Sequence, residues 1–138
     1  MSAQKVIVQL KSFATIERKK QNEYYFKTGP GQYSEFDRFI GIRTPQIRSI
    51  AKQHYQHIAF DEIDKLINHA VHEIRYCGLI ILVYQYQSNN QKSIFNYYLK
   101  NLHAVNNWDL VDYSTPHIIG DYLLNNQDKL SLLYDWTK

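Results

Sequence analysis

An all-α fold is what this sequence predicts, and three features of it carry the prediction. Apolar residues recur three and four positions apart through nearly every patterned segment, which is the period of a helix face. Two cap-plus-proline steps, at Thr44-Pro45 and at Ser114-Thr115-Pro116, read as helix starts. No strand-turn-strand pattern appears along the 138 residues.

Taken in order, Val6, Ile7, Leu10 and Phe13-Ala14 make one apolar face, and Ile16 to Phe26 continues as a charged amphipathic segment. The stretch Thr28-Gly29-Pro30-Gly31-Gln32-Tyr33 breaks the pattern, because glycines around a proline favour tight turns over helix. Thr44 reads as an N-cap with Pro45 at the first helical position, followed by a face of Ile47, Ile50, Ala51 and Tyr55. Phe60 to Ile67 is a short amphipathic helix whose Asp61 and Glu62 suit its positive end. Val71 to Tyr86 is apolar nearly all round. Its length and helical neighbours favour a helix packed on two faces over a buried strand. Ser93 to Leu99, a short helix around Trp108 to Tyr113, a face of Ile118, Ile119, Tyr122 and Leu123, and finally Leu130, Leu132, Leu133 and Trp136 complete the series.

Consecutive short helices with brief connectors predict paired helices stacked in an array of the HEAT-like kind, a single domain over 1–138. A globular bundle fits the same pattern, since no repeat of fixed period is visible. The last apolar stretch stops at Lys138 without a capping helix. The expectation is the N-terminal part of a longer array, apparently truncated, with self-association through the unfinished end.

Composition excludes several classes. There is no low-complexity tract and no apolar run long enough to span a bilayer, and the opening MSAQKVIVQLKSF is too short and polar for a secretory core. A soluble cytoplasmic protein is expected. Cys77, the single cysteine, can form neither an internal disulfide nor a thiolate zinc cluster, and reads as a small core residue. The pairs His54/His57 and His69/His72 have metal-compatible spacing but no further ligands in register. They read as surface polar residues, and neither a metal nor an organic cofactor is expected. Gly29-Pro30-Gly31 is no nucleotide-binding loop, lacking the Gly-Lys-Ser/Thr that would follow.

Charge is unevenly spread. The first sixty residues hold ten Lys and Arg against four Asp and Glu, a surplus of six. The rest holds six against nine, a deficit of three, which leaves the net +3. Such a basic half suits a polyanion, and it also suits an ordinary solvated helix face. Within it, Arg43 and Arg48 flank the Thr44-Pro45 helix start. Guanidinium forks there would join backbone N–H groups in holding a phosphate, with Lys27 beside the glycine loop as a further candidate.

The segment Asn106-Asn107-Trp108-Asp109-Leu110-Val111-Asp112 brings different chemistry. As a helix it puts Trp108 and Asp112 on one face, an indole beside a carboxylate. The ring offers an electron-rich face to a sugar or cation, and the carboxylate offers a fixed negative charge. The same spacing also suits a core tryptophan next to a solvated acid.

Several blocks together resemble a known family. Tyr25-Phe26-Lys27-Thr28-Gly29-Pro30-Gly31-Gln32-Tyr33, then Asp37, Phe39-Ile40-Gly41-Ile42-Arg43-Thr44-Pro45 and Arg48, are similar to the N-terminal signature of the DNA alkylation repair (AlkD-like) enzymes. His72-Glu73 with Arg75, Asn107 to Asp112 through Pro116, and Gly120-Asp121 resemble its later blocks in the same order. The resemblance implies a curved HEAT-like superhelix with a concave basic surface for double-stranded DNA. It implies a DNA glycosylase acting on cationic N3- and N7-alkylated purines without flipping the base into a pocket. By that match Trp108 would press on the deoxyribose and Asp112 would be the catalytic carboxylate; Lys27, Arg43, Thr44 and Arg48, read from the helix start and the glycine loop, are the DNA-binding candidates. Family members continue past the position of Lys138 to a Trp-x-x-Arg segment and a second tryptophan of the site, for which Trp136 is no substitute. A non-catalytic HEAT-like DNA-binding protein and a protein-interaction scaffold are the alternatives.

Overall fold

A computed structural model of the chain describes residues 1–26, 39–88, 91–101 and 116–125. These are helical, with no extended strand among them. Among the described residues there are seven α-helices: α1 (Ala3–Lys11), α2 (Ile16–Phe26), α3 (Thr44–His54), α4 (Phe60–Ile67), α5 (His72–Ser88), α6 (Gln91–Lys100) and α7 (Asp121–Asn125). A 3-10 turn, Tyr55–His57, follows α3, and a π-helical turn, Pro116–Gly120, leads into α7. The chain divides into two compact units, Met1–Tyr84 and Gln85–Lys138. No helix among the described residues is long and apolar enough to cross a membrane.

In the first unit α1 packs on α3 and α4. Ser2 caps α1 by accepting the Lys5 N–H at 3.2 Å, and the buried face is Ala3, Val6, Ile7 and Leu10. Burial of each of the three larger side chains contributes about 1.5–3 kcal/mol. The helix stops sooner than its apolar period suggests. Ser12 Oγ donates to the Gln9 carbonyl at 2.6 Å, a local bond that competes with helix continuation, and Phe13 beyond it is 41% exposed. Thr15 then opens α2, its Oγ1 accepting the Arg18 N–H at 3.2 Å.

Polar links fix how α1 lies. Glu62 on α4 accepts the Ala3 N–H at 2.8 Å and holds Lys65 at 2.8 Å. Gln9 accepts from His54 Nε2 at 2.6 Å and donates to Gln53 at 2.8 Å, so α1 and α3 are joined by amides as well as by apolar contact. His54 and His72 are buried, which corrects their reading as surface residues. A neutral imidazole can enter a core where its ring nitrogens or face find partners: the Gln9 amide for His54, and for His72 the Phe39 ring at 4.7 Å.

The apolar run of α5 is a helix, buried from Ile74 to Val83. It lies close on α4 because Gly78 has no side chain. A Cβ there would come 2.7 Å from Ile67 Cγ2 and 3.0 Å from Leu66 Cβ. In the second unit Ile94, Phe95 and Tyr98 of α6 are buried, as are Ile118, Ile119, Tyr122 and Leu123, with Phe95 and Tyr122 stacked at 4.0 Å. The helices read at Trp108 to Tyr113 and at Leu130 to Trp136 lie outside the described residues.

Gly78→Ala tests the α4–α5 approach. A gain in helix propensity of about 1 kcal/mol works against overpacking costs of about 1–3 kcal/mol. The net expectation is a lowered denaturant midpoint with unchanged m-value. A raised midpoint would show that α4 has room to yield.

Candidate nucleic-acid interface

The site is built on one buried carboxylate. Glu73 stands in the first turn of α5, only 2% exposed, and reaches the segment that leads into α3. Its Oε2 accepts the N–H of Gly41 at 2.8 Å and of Ile42 at 3.1 Å, and its Oε1 accepts the N–H of Ile40 at 3.1 Å. Three successive backbone donors curl around one anion, an arrangement that oriented amides make possible and that a helix N-terminus reinforces. Hydrogen bonds to a charged group contribute about 1.5–3 kcal/mol each, so they offset much of the cost of burying the charge.

Gly41 is what lets the backbone curl. Its φ is +89°, a left-handed value open to glycine, and a Cβ there would strike the Thr15 carbonyl oxygen and lie 2.6 Å from the Lys19 nitrogen. The Gly41 carbonyl in turn accepts the Thr15 N–H at 2.9 Å, which ties the start of α2 to the approach of α3.

These contacts bring basic residues from two helices to one corner. Lys19, whose backbone lies against Gly41, is exposed, as is Arg43 two residues beyond that glycine. Arg18 is half-buried; its Nη1 donates to Gln21 at 2.9 Å, while its Nε is enclosed without a hydrogen-bond partner. Farther along α3, Arg48 and Lys52 are exposed at helical spacing from Thr44.

The sequence reading of this helix start is off by one residue. Helical bonding begins with the Arg43 carbonyl, which accepts from Gln46 at 3.0 Å and Ile47 at 3.1 Å. Arg43 is therefore the cap position, with Thr44 first and Pro45 second. The Arg43 side chain has no acceptor to offer, and the capping bond comes from Gln46, whose Oε1 accepts the Arg43 N–H at 3.3 Å. Because Glu73 already holds residues 40–42, the chain turns at 43. Thr44 is half-buried in the first turn, and Arg43 takes the outward place.

Arg43 thus caps the helix that carries Thr44 and Arg48, whereas Lys27, Trp108 and Asp112 fall outside the described residues. The sequence reading missed the Glu73 clasp. Two signals could have pointed to it: an acid opening an otherwise apolar helix, and a glycine set between Ile40 and Ile42. Arg75 also has a local task, donating from Nη1 to the carbonyls of His69 at 2.9 Å and Ala70 at 3.2 Å, which holds the α4–α5 connection.

Other titratable groups serve the fold. Burial pushes the Cys77 thiol up to about 12, so it stays protonated and is no nucleophile. Among the described residues no cluster of three or more His, Cys, Asp or Glu is arranged to hold a metal. In the second unit a polar hollow of about 310 Å³ is lined by Tyr86, Gln87, Gln91, His117 and Asp121. Tyr86 donates to Asp121 there at 2.7 Å, and burial together with that carboxylate raises its phenol well above the ordinary range.

The family model for DNA alkylation repair enzymes matches residues 6–138. No curated protein and no solved structure gives a match.

Two imidazoles predict how stability follows pH. Burial holds His54 below the ordinary imidazole range, aided by the positive N-terminus. Burial also lowers His69, with help from Lys11 and Arg75, and its Nδ1 accepts the Val71 N–H at 3.0 Å, which protonation would break. With folded values below the unfolded ones, the unfolded chain takes up these protons first as pH falls. Their stabilisation is complete above the ordinary value of about 6.5, is lost as pH falls through it, and levels off below the folded values. Melting curves from about pH 8 down to about pH 5 are expected to decline more steeply for the native chain than for a His54→Asn/His69→Asn double variant. Equal slopes would remove both rings from the account.

Proposed function

The chain belongs to the DNA alkylation repair enzyme family, and on that footing we propose that it is a DNA glycosylase that releases cationic N3- and N7-alkylated purines from duplex DNA. The observation that carries the reading is the family match over residues 6–138, and the basic corner built from α2 and α3 agrees with it.

The chemistry follows from the charge of the lesion. An alkylated purine is cationic and leaves as a neutral base, so it needs little help from a general acid. The deoxyribose then develops positive charge as in glycoside hydrolysis. In this proposal Asp112 supplies the carboxylate that stabilises that charge and orients the attacking water. Trp108 sets its ring against the sugar, where a cation near an aromatic face gains about 0.5–2 kcal/mol. Arg43, the first turn at Thr44, and Arg48 hold backbone phosphates, with Lys27 as a further contact. No metal or organic cofactor enters these steps.

A second reading draws on the corner alone. Exposed cations on neighbouring helix starts suit duplex binding whether or not a bond is cleaved, so a non-catalytic DNA-binding protein has an observation in its favour.

Release of 7-methylguanine or 3-methyladenine from methylated duplex DNA separates the two. The glycosylase reading expects release by the native chain and a loss of about 10²–10³ in rate for Asp112→Asn, with duplex binding retained. Undiminished release by Asp112→Asn would overturn the site. Salt-dependent binding with no release by the native chain would establish the second reading. The phosphate contacts have their own test: Arg43→Gln/Arg48→Gln is expected to lower the magnitude of the log K against log salt slope by about 2, one per contact. An unchanged slope would take both arginines off the DNA.

A further inference from the structure

We propose that Glu73 is a positioning residue for DNA binding: through the amides of residues 40–42 it sets Arg43 beside Lys19 as one phosphate-binding corner. The inference rests on the DNA-binding part of the proposed function and assigns that surface a buried determinant which touches no DNA itself.

Arg43 is carried by a segment that has no regular structure of its own, since residues 39–43 precede the helix. Left untethered, backbone without helix or strand bonds samples many orientations, and ordering it at the moment of binding would weaken affinity. Here the ordering is built in. Glu73 holds Ile40, Gly41 and Ile42 within 3.1 Å at their nitrogens, and α5 holds Glu73 at the head of a buried helix. Gly41 passes the constraint to α2, because its carbonyl takes the Thr15 N–H and its bare Cα lets Lys19 approach. The Arg43 N–H is fixed in turn by Gln46. One carboxylate therefore ties the segment that bears Arg43 to the helix that bears Lys19.

Charge assigns the same role. Three amide dipoles point at the Glu73 carboxylate, which is only 2% exposed, and offset part of its repulsion for an incoming phosphate. The backbone donors at 40–42 are spent on that carboxylate, and the phosphate is left to the Arg43 and Lys19 side chains.

A double-mutant cycle on the full chain, read by fluorescence anisotropy with a duplex and repeated over salt, tests this. Glu73→Gln is expected to bind about tenfold more weakly, with the magnitude of the salt slope lowered by about 1, at temperatures where circular dichroism shows it folded. In an Arg43→Gln background the same change should cost little, since the group it positions is gone. Glu73→Asp, which keeps the charge with shorter reach, should recover part of the affinity. Additive losses in the cycle, or a folded Glu73→Gln with native affinity and slope, would overturn the proposal. So would failure of both Glu73 variants to fold, which would make the residue structural only. A native chain that binds no duplex at low salt would instead overturn the DNA reading beneath it.

Discussion

A carboxylate taken out of water has to be given donors, and at Glu73 the donors are the backbone itself. Three amides of one short segment replace the hydration shell, and everything near the α2–α3 corner takes its place from that exchange. It requires a left-handed residue at 41, which only glycine supplies without strain, and it brings Thr15 and the first turn of α2 against the segment. It also explains why the helix cap falls at Arg43 rather than at Thr44. The anchor comes first, and the turn follows at the next residue free to make it.

Around this anchor, three polar residues in the first turn of α5 divide the work. His72 packs its ring on Phe39, just ahead of the clasped segment, Glu73 takes the amides, and Arg75 closes the connection behind by holding the carbonyls of His69 and Ala70. Donors and acceptors that loops expose are thus met by side chains from one helix, whose remaining length is buried apolar surface. A run of polar residues at the head of an apolar helix secures the two chain segments that pass its end.

Much of this was legible in the sequence. The bounds of α4 and the helical character of α5 follow from periodicity and length, and the buried faces of α1, α3, α6 and α7 match the apolar positions at Val6, Ile47, Ile94 and Tyr122. Phe13 misled because its spacing continues the α1 stripe while a serine one residue earlier diverts the backbone. His54 and His72 misled because histidine is ambivalent: its burial depends on whether an amide or a ring from a distant element meets it. The Glu73 clasp joins residues more than thirty positions apart, a separation that local pattern does not encode. Of the candidate site, the helix bearing Arg43, Thr44 and Arg48 was readable from its cap-and-proline start, whereas their common support lay in the tertiary structure.

The most direct measurement is amide hydrogen exchange at Ile40, Gly41 and Ile42. If Glu73 holds them as described, these three amides exchange as slowly as those in the buried middle of α5, although they belong to no helix or strand. Exchange at the free rate of an open loop, while α5 stays protected, would contradict the account at its base.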